Sequence, residues 1–93
     1  GGGGAAQGRA VFSRNGCGGC HTLADAGATG SAGPNLDDAL DGMSAEEIRK
    51  AIVDPNADIA EGFAPNVMPG NFGETIPPDQ LDALVDYLEE ASR

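Results

Sequence analysis

The chain has 93 residues, enough for one domain. Large apolar side chains are scarce, with no Trp, one Tyr and three Phe, while Gly reaches 15 and Pro six. A chain this small and this rich in glycine buries little apolar surface against a high ordering cost, so it calls for a staple: a disulfide, a metal or a bound cofactor. The formal net charge is −10, from 15 acids and five bases. That balance excludes general nucleic-acid binding, which needs a basic face. The charge is also polarised. Residues 1–24 carry Arg9 and Arg14 and no acid, whereas every acid falls in residues 25–93. Such a dipole orients encounters with charged partners; the plainer reading is that surface acids promote solubility.

Gly1–Gly4 reads as a flexible linker, with a domain over residues 5–93. The linker is a tether to a membrane anchor, a tether to another domain, or a cloning remnant. No apolar run is long enough to span a membrane. The first helix is expected at Ala5–Asn15, with Val11 and Phe12 on its apolar side, Gly8 one turn before Phe12, and Gly16 as its end. A second begins at Ser44. Ser44 and Glu47 match a capping box, Ile48, Ala51 and Ile52 follow at helical spacing, and Pro55 stops it. In the third, Pro78 suits the first helical position, and Leu81, Leu84, Val85 and Leu88 recur at i, i+3, i+4 and i+7. Residues 22–43 and 54–77 read as long loops, and no stretch alternates as a strand should. Loops of that length in a compact domain carry function or wrap something. The expected fold class is therefore all-α, with three main helices.

Residues 17–21 read Cys-Gly-Gly-Cys-His and contain both cysteines and the only histidine. C-x-x-C-H is the attachment signature of c-type haem. The two thiols form thioethers with the haem vinyl groups, and the adjacent imidazole of His21 becomes the proximal iron ligand. Three other readings compete. A thioredoxin-like pair needs a βαβ setting that is not visible. A structural zinc site needs a fourth Cys or His. A short-loop disulfide would leave the small core unexplained.

The second axial ligand must come from Met43 or Met68. Met43 precedes the cap of the second helix, where core packing accounts for it. Met68 lies in Asn66-Val67-Met68-Pro69-Gly70-Asn71, and the proline after it holds the backbone. Met68 is the better placed. His/Met ligation saturates the iron and raises its potential, which suits electron transfer rather than bond chemistry. A ligating imidazole usually donates its other N–H to a fixed acceptor, and the carbonyl of Pro34, in Gly33-Pro34-Asn35-Leu36, is the candidate. An ordinary Gly-Pro turn is the alternative.

On these residues the chain resembles the class I cytochrome c family over nearly its whole length. The matches are Gly8 and Phe12, Cys17 to His21, Gly33 to Leu36, Met68-Pro69, and the final helix with Leu81, Leu84, Tyr87 and Leu88. The resemblance implies the class I cytochrome c fold. First and last helices cross, Gly8 allows close approach, and Phe12 packs on Tyr87 or Leu84. It implies one haem c per chain, bound by Cys17 and Cys20, ligated by His21 and Met68, and contacted by Pro34 and Leu36. Asn71 and Arg14 are the candidates for its propionates. The implied haem edge lies near Cys17 and Gly18.

Residues 52–88 are similar to the cytochrome c domains fused to subunit II of haem–copper oxidases, and to small membrane-anchored bacterial cytochromes c. This implies electron delivery towards a terminal oxidase, with a redox protein such as that oxidase or a quinol-oxidising complex as partner. The expected form is a monomer in the periplasm or on the outer face of the bacterial cytoplasmic membrane. No lysine ring is present, so the docking mode of basic mitochondrial relatives does not carry over. The alternatives are a haem domain within a larger oxidoreductase, or a ligand-binding haem sensor or peroxidase-like domain if Met68 does not bind iron.

Overall fold

The computed structural model describes residues 4–57 and 59–92. Gly1–Gly3 of the expected linker lie outside the described residues, and Gly4 opens the first helix. That helix, α1, spans Gly4–Arg14. It ends where the Asn15 side chain donates to the Val11 carbonyl at 2.9 Å and Gly16 takes φ 72°, a left-handed value that suits glycine. The last helix, α5, spans Pro78–Ala91 with proline in its first turn. It buries Leu81, Ala83, Leu84, Val85, Tyr87 and Leu88.

These two helices share the largest interface between elements. Gly8 explains how close they come. A Cβ at that position would overlap Tyr87 Cβ and the Ala83 carbonyl oxygen. Phe12 meets Tyr87 edge-on, with ring centroids 6.3 Å apart and planes at 67°. Val11 and Leu84, both without solvent exposure, complete the contact layer.

Helix α3, Ala45–Val53, packs on α5 through Ile48 and Ile52 and is stitched to it by an Arg49–Asp82 ion pair. Its N-terminus forms the expected capping box. Ser44 Oγ accepts from Glu47 N–H at 3.2 Å, and Glu47 Oε1 accepts from Ser44 N–H at 3.0 Å. The Ser44 amide, and after it the Ser44 side chain, hold the Glu47 carboxyl below the usual glutamate range.

The stretches read as loops contain more structure than expected. Strands β1, Thr22–Leu23, and β2, Ala28–Thr29, pair antiparallel with Thr22 opposite Thr29 and Leu23 opposite Ala28. The single-turn helix α2, Leu36–Ala39, is capped by Asn35, whose Oδ1 accepts from Asp37 N–H at 2.9 Å. Another single-turn helix, α4, spans Phe72–Thr75 and packs on α3. The fold is thus all-α apart from one minimal hairpin. Two residues per strand are too few to show alternation, and one helical turn is too short to show a 3.6-residue period.

The hairpin is fastened to the helical pair by its connection. Asp25, in the 3₁₀ turn Ala24–Ala26, accepts from the Tyr87 hydroxyl at 2.7 Å and from Arg9 at 2.9 Å. The Arg9 guanidinium also lies 5.9 Å from the Tyr87 ring centroid. Tyr87 is 1% exposed, so Asp25 satisfies a phenol otherwise cut off from water.

Candidate functional site

The Cys-Gly-Gly-Cys-His segment lies between the end of α1 and β1. A 3₁₀ turn over Cys17–Gly19 follows the left-handed Gly16. Cys20 N–H and His21 N–H both donate to the Cys17 carbonyl, at 3.2 and 3.0 Å. This single turn sets Cys17, Cys20 and His21 at i, i+3 and i+4, the spacing that shares one helical face. The two glycines between the cysteines serve different ends. A Cβ on Gly18 would come within 3.1 Å of Ala28 Cβ and 3.3 Å of Phe12 Cε1, whereas one on Gly19 would meet nothing within 4 Å. Gly18 lets the turn nest against α1 and the hairpin; Gly19 leaves the outer side open.

Both cysteines are half-buried and unpaired. Burial pushes the Cys17 thiol up to about 11. Thioredoxin-like chemistry requires a depressed thiol pKa, so Cys17 has the opposite tuning. Among the described residues, no three His, Cys, Asp or Glu side chains converge as metal ligands.

His21 is held by the segment that follows the hairpin. Its Nδ1 lies 2.7 Å from the Pro34 carbonyl oxygen. A carbonyl only accepts, so Nδ1 carries a proton and donates it, and Nε2 is the ring nitrogen left to face a metal. The same segment is clamped to the cysteine turn. Gly33 N–H donates to the Cys20 carbonyl at 2.6 Å, and Thr22 Oγ1 donates to the Gly30 carbonyl at 2.9 Å. Two further glycines make this closeness possible. A Cβ on Gly33 would come within 2.5 Å of His21 Cε1, and one on Gly30 within 2.6 Å of the Gly19–Cys20 backbone. The sequence named Pro34 as acceptor but gave no sign that Gly33 must lie against the imidazole. Leu36, the first residue of α2, is buried in the apolar core.

Met68 has a distinctive position in its segment. Residues 61–67 and 69–71 are all exposed, while Met68 alone turns inward, half-buried against the core cluster. Met43 is half-buried as well, but it opens onto a recess of about 220 Å³ formed with Leu40, Asp41, Gly42, Glu89 and Ser92. None of Cys17, Cys20 and His21 lines that recess. Asn71 is exposed and N-caps α4 through its carbonyl, which accepts from Glu74 and Thr75, while its side chain makes no capping bond. Arg14 donates to Gln80 Oε1 at 3.3 Å across the α1–α5 pair.

The donor set fits a covalently attached haem: two unpaired thiols and a tautomer-fixed imidazole on one turn, with a thioether turned inward elsewhere. A search of curated proteins returned no match. A sequence model of one family, described as Cytochrome c, matches residues 5–92. The chain therefore belongs to the cytochrome c family, whose domain binds haem c covalently, here with Cys17 and Cys20 as the fitting pair, and serves haem-based electron transfer.

Proposed function

We propose that the protein is a one-electron carrier whose haem iron is closed on both faces, by His21 Nε2 and by Met68 Sδ. Bound haem supplies the ferric–ferrous couple. The remaining work belongs to the chain. Cys17 and Cys20 anchor the group, and Pro34 fixes the His21 tautomer and ring orientation. Met68 excludes water and small ligands from the other face. A closed ligand set changes little between oxidation states and leaves no site for substrate, which suits outer-sphere transfer and not bond chemistry.

The observation that carries this reading is the hydrogen bond from His21 Nδ1 to the Pro34 carbonyl, which supports Nε2 as the ligating nitrogen. The inward turn of Met68 within an otherwise exposed stretch supports the second ligand. Pro34 and Leu36 are read as haem contacts, and Asn71, with its free-standing amide, as a propionate partner. Electrons pass at the edge near Cys17 and Gly18, where Gly19 leaves open space. The partner is a redox protein of a respiratory chain leading to a terminal oxidase. The setting is the periplasm or the outer face of the bacterial cytoplasmic membrane, because haem attachment of this type takes place outside the cytoplasm. The protein acts as a monomer.

Spectropotentiometric titration of the holoprotein tests the ligand set. A single one-electron step is expected, and Met68→His is expected to lower its midpoint, because bis-imidazole ligation favours the ferric state relative to His/Met. An unchanged midpoint in that variant would contradict ligation by Met68. Oxidation of the reduced protein by membranes rich in a haem–copper oxidase, above the uncatalysed rate, is expected from the respiratory assignment; no acceleration would remove it.

A further inference from the structure

The segment that carries Met68 is tied back to α3 by one side chain. Asn56 Oδ1 accepts from the backbone N–H of Asn66 at 2.8 Å, closing an excursion of ten residues. Asn66 is the only non-glycine among the described residues with positive φ, at 63°. Left-handed backbone is costly for most side chains, and Asn tolerates it best of the non-glycines. The hydrogen bond falls on the one residue whose conformation most needs holding.

Asn56 is itself well anchored. The Asp54 amide donates to the Lys50 carbonyl at 2.8 Å to finish α3, and the Ala57 amide donates to the Asp54 carbonyl at 3.2 Å, with Pro55 and Asn56 between them. Helix α3 in turn packs on α5. At the other end, Asn66 stands two residues before Met68, where the exposed stretch 61–67 gives way to the inward thioether. Pro69 restrains the chain on the far side. Met68 is thus bracketed by a pinned left-handed residue and a proline.

We infer that Asn56 is a positioning residue for the axial thioether: through Asn66 it holds the Met68 backbone so that the sulfur stays on the iron. The inference rests on the reading of Met68 as ligand. Asn56 acts through the Asn66 backbone rather than as a ligand; it sets how often the iron–sulfur bond opens to competitors.

The test titrates ferric holoprotein with imidazole and follows the thioether-to-iron charge-transfer absorption, in wild type, Asn56→Ala, Asn56→Asp and Met68→Ala. Asn56 is exposed, so its variants are expected to fold. Asn56→Ala should keep the absorption but bind imidazole about fivefold more tightly, the weight of one hydrogen bond. Asn56→Asp keeps an acceptor oxygen and should stay within about twofold of wild type. Met68→Ala should lose the absorption altogether. Wild-type imidazole affinity in Asn56→Ala, or equal tightening in Asn56→Ala and Asn56→Asp, would overturn the positioning role while leaving Met68 as ligand. Retention of the absorption in Met68→Ala would overturn the ligand assignment, and the inference with it.

Discussion

Individual side chains set the chemistry here through what they touch. His21 owes its tautomer to one backbone carbonyl, and its orientation to the lack of a side chain on Gly33. Gly33 does not adopt a positive φ, so its requirement is for space rather than backbone freedom. Gly33→Ala is therefore expected to push the imidazole off its Pro34 acceptor while leaving both thioethers intact. The absorption spectrum should show haem retained after acid-acetone extraction but a weakened low-spin signature. Asp25 makes a separate prediction. Hydrogen bonds, from Tyr87 first and then Arg9, hold its carboxyl below the ordinary value of 3.8. A depressed folded-state value means that its stabilising contribution is complete above 3.8 and is lost as pH falls through the lower folded value. Acid unfolding followed by circular dichroism should show a transition that Asp25→Asn flattens. Tyr87→Phe, which removes the buried hydroxyl's bond to Asp25, should cost about 1 kcal/mol in chemical denaturation.

Among the elements, the α1–α5 pair is the frame on which the attachment turn is mounted. Gly8→Ala drives a Cβ into the Ala83 carbonyl, a backbone atom that cannot swing aside. It is expected to destabilise the fold by at least about 2 kcal/mol, measured by urea denaturation. Ser44→Ala breaks the capping box and should cost about 1 kcal/mol in the same assay. The elements that the sequence revealed are those with local, repeated signals: the helical spacing of Leu81, Leu84, Val85 and Leu88, the Ser44–Glu47 box, and Gly8 with Phe12. The hairpin at Thr22–Leu23 and Ala28–Thr29 carries no such signal. It exists because Leu23 is drawn fully into the core and Asp25 is bound by Tyr87, 62 residues away. Likewise, Cys17, Cys20 and His21 are legible as a motif, and Pro34 from its place after it. The needs for Gly33 beside His21 and for Asn56 beneath Asn66 arise from tertiary contact alone. Neither spacing nor composition encodes them.

For the molecule as a whole, the bound cofactor resolves what composition posed at the outset. The described core gathers only 14 buried apolar residues, several of them from short segments with little structure of their own. A large apolar group covalently fixed to Cys17 and Cys20 adds the missing interior. With a net charge of −10 spread unevenly along the chain, association with a charged redox partner should depend on ionic strength. Stopped-flow oxidation by a redox partner over a salt series would show this; salt-independent rates would contradict it. The only large apolar side chains exposed among the described residues are Phe63 and Val67, both in the stretch that ends at Met68. The measurement that bears most directly on the whole account is the absorption spectrum of the ferrous holoprotein, at neutral pH, before and after carbon monoxide is added. Iron closed by His21 and Met68 predicts superimposable spectra. Rapid conversion to a carbonyl-bound spectrum would mean an open face, and a ligand-binding domain in place of an electron carrier.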